Sequence, residues 1–146
     1  MKDRRWVGGL TSTFLVLFIL GACSASAQLT SITNTTHTPA SPRAGQDVFI
    51  ETQTSPTGSA VEAYALFGLD GNWSEAPLGM AGATNDFDHW RGRIGRFPAD
   101  AVVEYLAGAE DAVGTNYYDN NGDSNYVFSG TNGDATTWIG DISHSP

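Results

Sequence analysis

The sequence predicts an all-β fold, an immunoglobulin-like β-sandwich of about seven strands preceded by a signal peptide. Three observations support this prediction. No helical period of apolar residues extends over three turns after residue 28, so no long helix is expected. Gly, Pro, Asn, Asp and Thr interrupt the chain at short intervals, as in a sandwich of short strands. Several segments between the interruptions alternate apolar and polar residues, as half-buried strands do.

The N-terminus has the order of a secretory leader. Lys2, Arg4 and Arg5 precede the apolar run FLVLFIL at 14–20, and the small residues GACSASA follow. The apolar run is too short to span a membrane. The segment therefore predicts export from the cytoplasm.

Two cleavage sites compete in this leader. LGAC at 20–23 resembles the bacterial lipobox, in which the cysteine becomes the lipid-modified first residue of the mature protein. This predicts a signal peptide at 1–22, lipid attachment at Cys23, and a lipoprotein of the outer or cell membrane. The alternative cut after residue 27, behind ASA and before Gln28, predicts a secreted protein.

The charge of the mature chain excludes one class of partner. Cleavage at either site removes three basic residues and one acidic residue, which changes the formal net charge from −9 to −11. Such a negative surface disfavours nucleic acid. Contact with a membrane is expected only through a lipid anchor at Cys23. Because Cys23 is the single cysteine, no disulfide is expected in the folded part.

The first half of the mature chain contains three predicted strands. TSITNTTH at 30–37 is the first, and DVFIETQT at 47–54 is the second, which we expect to pair with the strand after it. AVEAYALFG at 60–68 is the third, and the Asp70-Gly71 pair predicts the tight turn that follows it. In the second strand the alternation places Val48, Ile50 and Thr52 on one face.

The second half completes the sandwich. Further strands are predicted around 78–80, 87–97, 101–111 and 125–128. Trp90 is expected in the core, and so are Phe97, Tyr105 and Phe128. Residues 30–130 are therefore predicted to form one domain. Residues 131–146 contain TNGDATT, which is a linker by composition. They also contain the apolar segment WIGDISHSP, which has no partner segment and which we interpret as the start of a further domain.

Three segments occur in an order found in one group of proteins. They are DGNWSEAPLGM at 70–80, HWRGRIGRFPADAVVEYLAGAED at 89–111, and YYDNNGDSNY at 117–126. Together they resemble the starch-binding modules of carbohydrate-binding families 25, 26 and 53, in which W-DNN-G-NY lies near the end of a β-sandwich. The resemblance covers about residues 30–128, and Tyr118 stands where the family pattern usually has Trp. It implies a non-catalytic module that binds α-glucan, as found N-terminal in bacterial glycoside hydrolases.

The chemistry of these residues agrees with that implication. A sugar ring needs an aromatic plane against its C–H face and polar groups at its hydroxyl rim. Carboxylates accept from hydroxyls, and side-chain amides both donate and accept. The candidate carbohydrate-binding residues are Tyr118, Asp119, Asn120, Asn121, Trp73 and Tyr64. Alternatively, DNNG is a turn that needs no ligand, and Trp73 is a plug or lid of the core.

Metal, cofactor and catalytic functions have little support in the sequence. An EF-hand loop starting at Asp119 would place Gly at the wrong position, and Gly130 stands where the bidentate Glu belongs. The three histidines, His37, His89 and His144, are far apart in the chain. No G-x-S-x-G motif occurs. We therefore expect no enzyme activity, metal or cofactor.

Two other functions remain open. One is a structural or protein-interaction sandwich of an exported lipoprotein, which predicts no affinity for sugar. The other is the N-terminal module of a larger glycoside hydrolase, because the tail at 137–146 is similar to the segment that follows such modules.

Overall fold

The computed structural model describes residues 27–132, and these residues form eight β-strands and no helix. The strands are β1 (Ser31–Thr38), β2 (Asp47–Ser55), β3 (Ala60–Leu69), β4 (Asn72–Ala83), β5 (Asp88–Arg96), β6 (Val102–Asp111), β7 (Asn116–Asp119) and β8 (Tyr126–Ser129). The predicted all-β class is confirmed. The predicted signal peptide at 1–22, Cys23 and residues 133–146 lie outside the described residues.

The strands form an antiparallel sandwich that is almost closed. Their order is β1-β2-β5-β4-β3-β6, and β7 and β8 both pair with β6. Residues 72–78 of β4 pair with β3, and residues 79–83 pair with β5 across a register shift. A strand shared in this way makes a corner between two sheets. We call the sheet of β3, β6, β7, β8 and 72–78 the front sheet, and the sheet of β1, β2, β5 and 79–83 the back sheet.

The core lies between the two sheets. Val48 and Ile50 of β2 are fully buried, and so are Ala65 of β3 and Val103 of β6. The predicted core aromatics Trp90, Phe97, Tyr105 and Phe128 are all buried. No helix among the described residues has the length and apolarity to cross a membrane. The alternation of apolar and polar residues in strands such as β2 corresponds to the alternation of core-facing and surface-facing side chains.

The turn predicted at Asp70-Gly71 connects β3 to β4 as a hairpin. Both residues have a left-handed backbone, with φ of 51° at Asp70 and 79° at Gly71. This combination matches the twist of the flanking strands and is favoured in two-residue hairpins. The turn places Trp73 at the start of β4, opposite Gly68 of β3.

Three details of the predicted strand plan are wrong. The second strand, β2, does not pair with β3; it pairs with β1 and β5. The strand expected at 78–80 is the twelve-residue β4, because it continues from one sheet into the other. Residues 116–119 form an additional strand at the edge of β6.

Candidate functional site

The outer face of the front sheet carries three aromatic side chains that are exposed or half-buried. Tyr64 lies on β3, Trp73 on β4 and Tyr118 on β7. Side chains directly opposite one another in paired strands point to the same face. Gly108 of β6 is paired with Tyr64 on one side and with Tyr118 on the other, so both rings lie beside the same glycine.

Tyr64 and Tyr118 form an aromatic pair above Gly108. Their ring centroids are 6.3 Å apart and their planes meet at 76°, an edge-to-face arrangement. A Cβ atom on Gly108 would overlap the Tyr64 ring, so only glycine lets this ring lie down on the sheet. The Tyr64 hydroxyl donates a 2.9 Å hydrogen bond to Oδ1 of Asn116, which fixes the ring further. Tyr118 keeps 51% of its surface exposed.

The surroundings of Tyr64 are acidic. Burial raises the pKa of the Tyr64 hydroxyl well above its usual value, and the Tyr118 phenol and the carboxylates of Glu75 and Glu110 raise it further. The five strands of the front sheet contain no Lys, Arg or His. The phenol therefore stays protonated and keeps its bond to Asn116, its oxygen can still accept from a ligand, and the face disfavours anions.

Trp73 is a further exposed aromatic side chain on the same face, separate from the Tyr64–Tyr118 pair. A Cβ atom on Gly68 would lie 3.0–3.3 Å from three atoms of the indole, so the ring lies over that glycine. The side chain is 47% exposed. It borders a shallow cleft of about 230 Å³ lined by Gly68, Asp70, Gly71, Trp73, Val102 and Glu104. The cleft thus combines an aromatic plane with two carboxylates that can accept from hydroxyls.

The Tyr64–Tyr118 pair and Trp73 lie at different positions along the strands of the front sheet. Tyr64 and Gly68 are four residues apart along β3, which corresponds to about 13 Å along the strand. Leu66 and Leu106 are paired in the row between them. The aromatic face, defined by Tyr64, Tyr118 and Trp73, therefore extends farther along the strands than one aromatic ring.

The DNNG segment is not a hairpin turn. Both β7 and β8 pair antiparallel with β6, β7 along residues 107–110 and β8 along residues 102–105. They are two parts of one edge strand, and the loop at 120–125 projects between them. Because the loop is an insertion into an edge, its residues are not needed to connect two neighbouring strands.

Hydrogen bonds within the loop hold it in one shape. The carbonyl of Asn120 accepts from the amides of Ser124 and Asn125 at 3.1 and 2.9 Å. The Asn120 side chain donates to Asp123 Oδ1 at 2.9 Å and accepts from the Asp123 amide at 3.2 Å. Asn121 has φ of 52°, a left-handed conformation that Asn tolerates better than most residues.

The far side of the loop is tied to the Trp73 cleft. Asn121 Nδ2 donates to the carbonyl of Asn125 at 3.2 Å, and Asn125 Nδ2 donates to Oε2 of Glu104 at 3.3 Å. Glu104 lines the cleft beside Trp73. The side-chain amide of Asn125 therefore lies at the edge of the aromatic face.

Asp119 points away from that face. Its Oδ2 accepts from the amide of Thr35 at 3.2 Å, and its Oδ1 accepts from the hydroxyl of Tyr126 at 2.9 Å. Burial and this contact with Asp119 raise the pKa of Tyr126 to about 12. Asp119 thus joins β1 to the edge of the front sheet and closes the sandwich.

The structure brings together some of the six predicted residues. Tyr64 and Tyr118 are in contact, Trp73 shares their face, and the Asn120-Asn121 loop borders it. Asp119 lies on the opposite side of its strand. Sequence patterns did not predict the other residues of the site, which are Asn116, Asn125, Glu104 and the two supporting glycines, Gly68 and Gly108. Only the pairing of β6 with β3, β7 and β8 reveals these residues, because no local motif marks them.

The described part of the chain offers no metal centre. Residues 27–132 contain no group of three His, Cys, Asp or Glu side chains that could hold a metal ion. The aromatic face instead offers flat rings, hydroxyls, amides and carboxylates.

No family model matches the chain, and no curated protein matches it either. Solved structures do match. One is the cycloalternan-forming enzyme from Listeria monocytogenes in complex with a pentasaccharide substrate, with a TM-score of 0.58 and 18% identity over 67% of this chain. An uncharacterized protein of Listeria monocytogenes EGD-e, solved with glucose, magnesium and calcium, matches with the same values.

These matches concern the fold. The chain spans 9% of the length of each of these two proteins. At 18% identity the likeness shows a common fold for the sandwich. A bromide derivative of the module BhCBM56 matches over 70% of this chain and 99% of its own, with 12% identity and a TM-score of 0.39, which is too low to define a common fold.

Proposed function

We propose that this chain is a non-catalytic carbohydrate-binding module that binds neutral α-glucan, such as starch, glycogen or maltooligosaccharide. The observation that carries the proposal is the aromatic face, where Tyr64 and Trp73 each lie over a glycine and Tyr118 stands exposed beside Tyr64. Rings that are held before the ligand arrives lose little freedom on binding.

The ligand class follows from the charges around the rings. Carboxylates surround the face and no cationic side chain comes from its strands, so an acidic polysaccharide would be repelled. Hydroxyl groups can donate to these carboxylates and exchange hydrogen bonds with the loop amides. A neutral sugar chain fits both features. The fold shared with part of an enzyme solved with a pentasaccharide supports this choice, and the α linkage rests on the resemblance to starch-binding modules.

Sedimentation with granular starch tests the proposal. We expect the wild-type chain to sediment with the granules, and we expect Tyr118→Ala and Trp73→Ala to remain in the supernatant. Val113→Ala is the matched control, because Val113 is 83% exposed and lies outside the aromatic face. Unchanged sedimentation of both aromatic variants would remove the proposed site.

The amide loop has its own test. Asn121→Gly keeps a residue that tolerates the left-handed backbone and deletes only the amide. If the amide binds sugar hydroxyls, affinity for maltotetraose falls about fivefold, which corresponds to roughly 1 kcal/mol. Loss of the exposed hydrogen bond from Asn121 to Asn125 should lower the free energy of unfolding by about 0.5–1 kcal/mol. A variant with full affinity would assign the loop to shape alone.

We further propose that the module is exported and attached to a membrane through a lipid on Cys23. The lipobox-like LGAC at 20–23 supports this. In a bacterial host, Cys23→Ser should shift the protein from the detergent phase to the aqueous phase in a phase-partition assay. Equal partition of the two forms would favour the cut before Gln28.

A second candidate is the N-terminal module of a larger glycoside hydrolase. It is favoured by the match of this fold to 9% of a much longer enzyme. Sequencing the gene beyond the codon for Pro146 tests it directly. A continuing reading frame supports the larger enzyme, and a stop codon in the native gene contradicts it.

A further inference from the structure

The outer face of the back sheet contains a second concave surface, on the other side of the sandwich from the aromatic face. It is a trough of about 290 Å³, which we call the back trough. Its lining residues are Asn34, Thr36, Glu51, Thr52, Gln53, Ala81, His89, Trp90 and Arg91. None of these residues belongs to the aromatic face, so the trough is a separate surface.

Hydrogen bonds connect the polar side chains of the trough across three strands. Asn34 Nδ2 donates to Gln53 Oε1 at 2.8 Å, and Gln53 Nε2 lies 3.3 Å from His89 Nδ1. Because an amide nitrogen can only donate, His89 Nδ1 accepts and its Nε2 carries the proton. In the next row Arg91 Nε donates to Glu51 Oε1 at 2.9 Å. The groups are therefore fixed before a ligand arrives.

The backbone of β1 directs Asn34 into the trough. The register between β1 and β2 shifts between Thr33 and Thr36, and Asn34 has φ of 56° at that irregularity. Bulges change the direction of a side chain and recur beside functional sites. On the opposite side, β4 contributes Ala81 with Gly79 and Gly82 near it, so short side chains leave the trough open.

Much of the hydrogen-bonding capacity of the trough is unused. Within residues 27–132, Oδ1 of Asn34, Nε2 of His89, Oε2 of Glu51 and the terminal nitrogens of Arg91 have no hydrogen-bond partner in the protein. The Arg91 guanidinium lies 3.9 Å from the centre of the Phe49 ring, which holds it in place. Donors and acceptors thus alternate along a surface that is already ordered.

The pairing of charges identifies the class of ligand. Glu51 neutralises Arg91, so the trough carries no excess charge to select an anion or a cation. Its free groups suit a ligand that donates and accepts at many points. We propose that the back trough is a second binding site, for a neutral, hydroxyl-rich ligand of the saccharide class. With the aromatic face on the other sheet, one module could then hold two sugar chains.

Nuclear magnetic resonance titration of the full chain tests this proposal. The probes are maltotetraose, cellotetraose and mannotetraose, each added to the wild-type chain and to the triple variant Tyr64→Ala/Trp73→Ala/Tyr118→Ala. We expect at least one probe to shift the side-chain amide signals of Asn34 and Gln53 and the ring signals of His89. These shifts should saturate in both proteins, because the trough does not use the three rings.

Two variants of the trough give independent readouts. Asn34→Gly retains the left-handed backbone and removes the amide, and it should weaken the trough binding about tenfold. Ala81→Leu extends a side chain into the trough and should abolish those shifts, whereas the exposed control Ala83→Leu on the same strand should leave them unchanged.

The titration separates the two sites. If none of the three probes shifts the trough signals, or if those shifts disappear in the triple ring variant, the second site is overturned. If trough signals move and the aromatic face does not respond in the wild-type chain, the proposed function of the aromatic face fails and the second site stands.

Discussion

Tyr118 and Asp119 are neighbours in the chain and lie on opposite faces of the front sheet. Tyr118 meets Tyr64 above Gly108 on the outside, and Asp119 bonds Thr35 and Tyr126 on the inside. The pleat of β7 causes this separation, since successive side chains of a strand alternate between faces. The Tyr118 ring and the Asp119 carboxylate are adjacent in one sequence motif but have different surroundings. Variants can therefore test their roles separately.

Gly108 should be essential to the aromatic face. In Gly108→Ala the new methyl group overlaps the Tyr64 ring, which must rise from the sheet and leave Asn116. We expect a loss of about 1–3 kcal/mol in the free energy of unfolding from overpacking. Affinity for maltotetraose should fall as well, measured by calorimetry.

The control for this change is Val113→Ala, because Val113 is 83% exposed and belongs to neither the aromatic face nor the back trough. It should affect neither stability nor affinity. Full affinity in Gly108→Ala would show that the Tyr64 ring position does not matter for binding.

Asp119 should matter for stability. Asp119→Ala removes the acceptor for the Thr35 amide and the Tyr126 hydroxyl, and hydrogen bonds to a charged group contribute about 1.5–3 kcal/mol. We expect a loss of about 2 kcal/mol in urea unfolding. Asp86→Ala, at an exposed loop position, is the matched control and should leave stability unchanged. A stable Asp119→Ala variant would contradict the role of Asp119 in closing the sandwich.

Asp47 should contribute to stability only above strongly acidic pH. Hydrogen bonds from Arg96 and Arg93 lower its pKa from 3.8 to about 2. A lowered pKa in the folded state means that this contribution is complete above 3.8 and is lost as the pH falls through about 2. The stability difference between wild type and Asp47→Asn should shrink across that window in urea unfolding. High salt should reduce the difference at neutral pH, since the pairs are exposed.

Tyr126 should show the opposite dependence at alkaline pH. Burial and Asp119 raise its pKa from 10.0 to about 12, so the folded state favours the protonated phenol. The contribution is complete below pH 10.0 and is lost as the pH rises toward 12. The stability difference between wild type and Tyr126→Phe should therefore decrease over this range. A difference that stays constant with pH would show that the hydroxyl of Tyr126 is not held by Asp119.

Local patterns were sufficient for much of the fold. Alternation of Val48, Ile50 and Thr52 correctly predicted the buried face of β2, and the Asp70-Gly71 pair correctly predicted the hairpin after β3. Trp90 was correctly assigned to the core. These features depend on residues a few positions apart, because strand period and turn chemistry are local properties.

The sequence by itself determined that the described chain is a sandwich of short strands and that Val48, Ile50 and Thr52 share one face of β2. Only the tertiary structure decided that β2 pairs with β5, that β4 turns the corner between sheets, and that the DNNG loop interrupts an edge strand. Strand pairing is a competition among distant segments with similar patterns, and the same turn residues serve a hairpin or an insertion. For that reason the meeting of Tyr64 and Tyr118 above Gly108 could not be derived before the register was known.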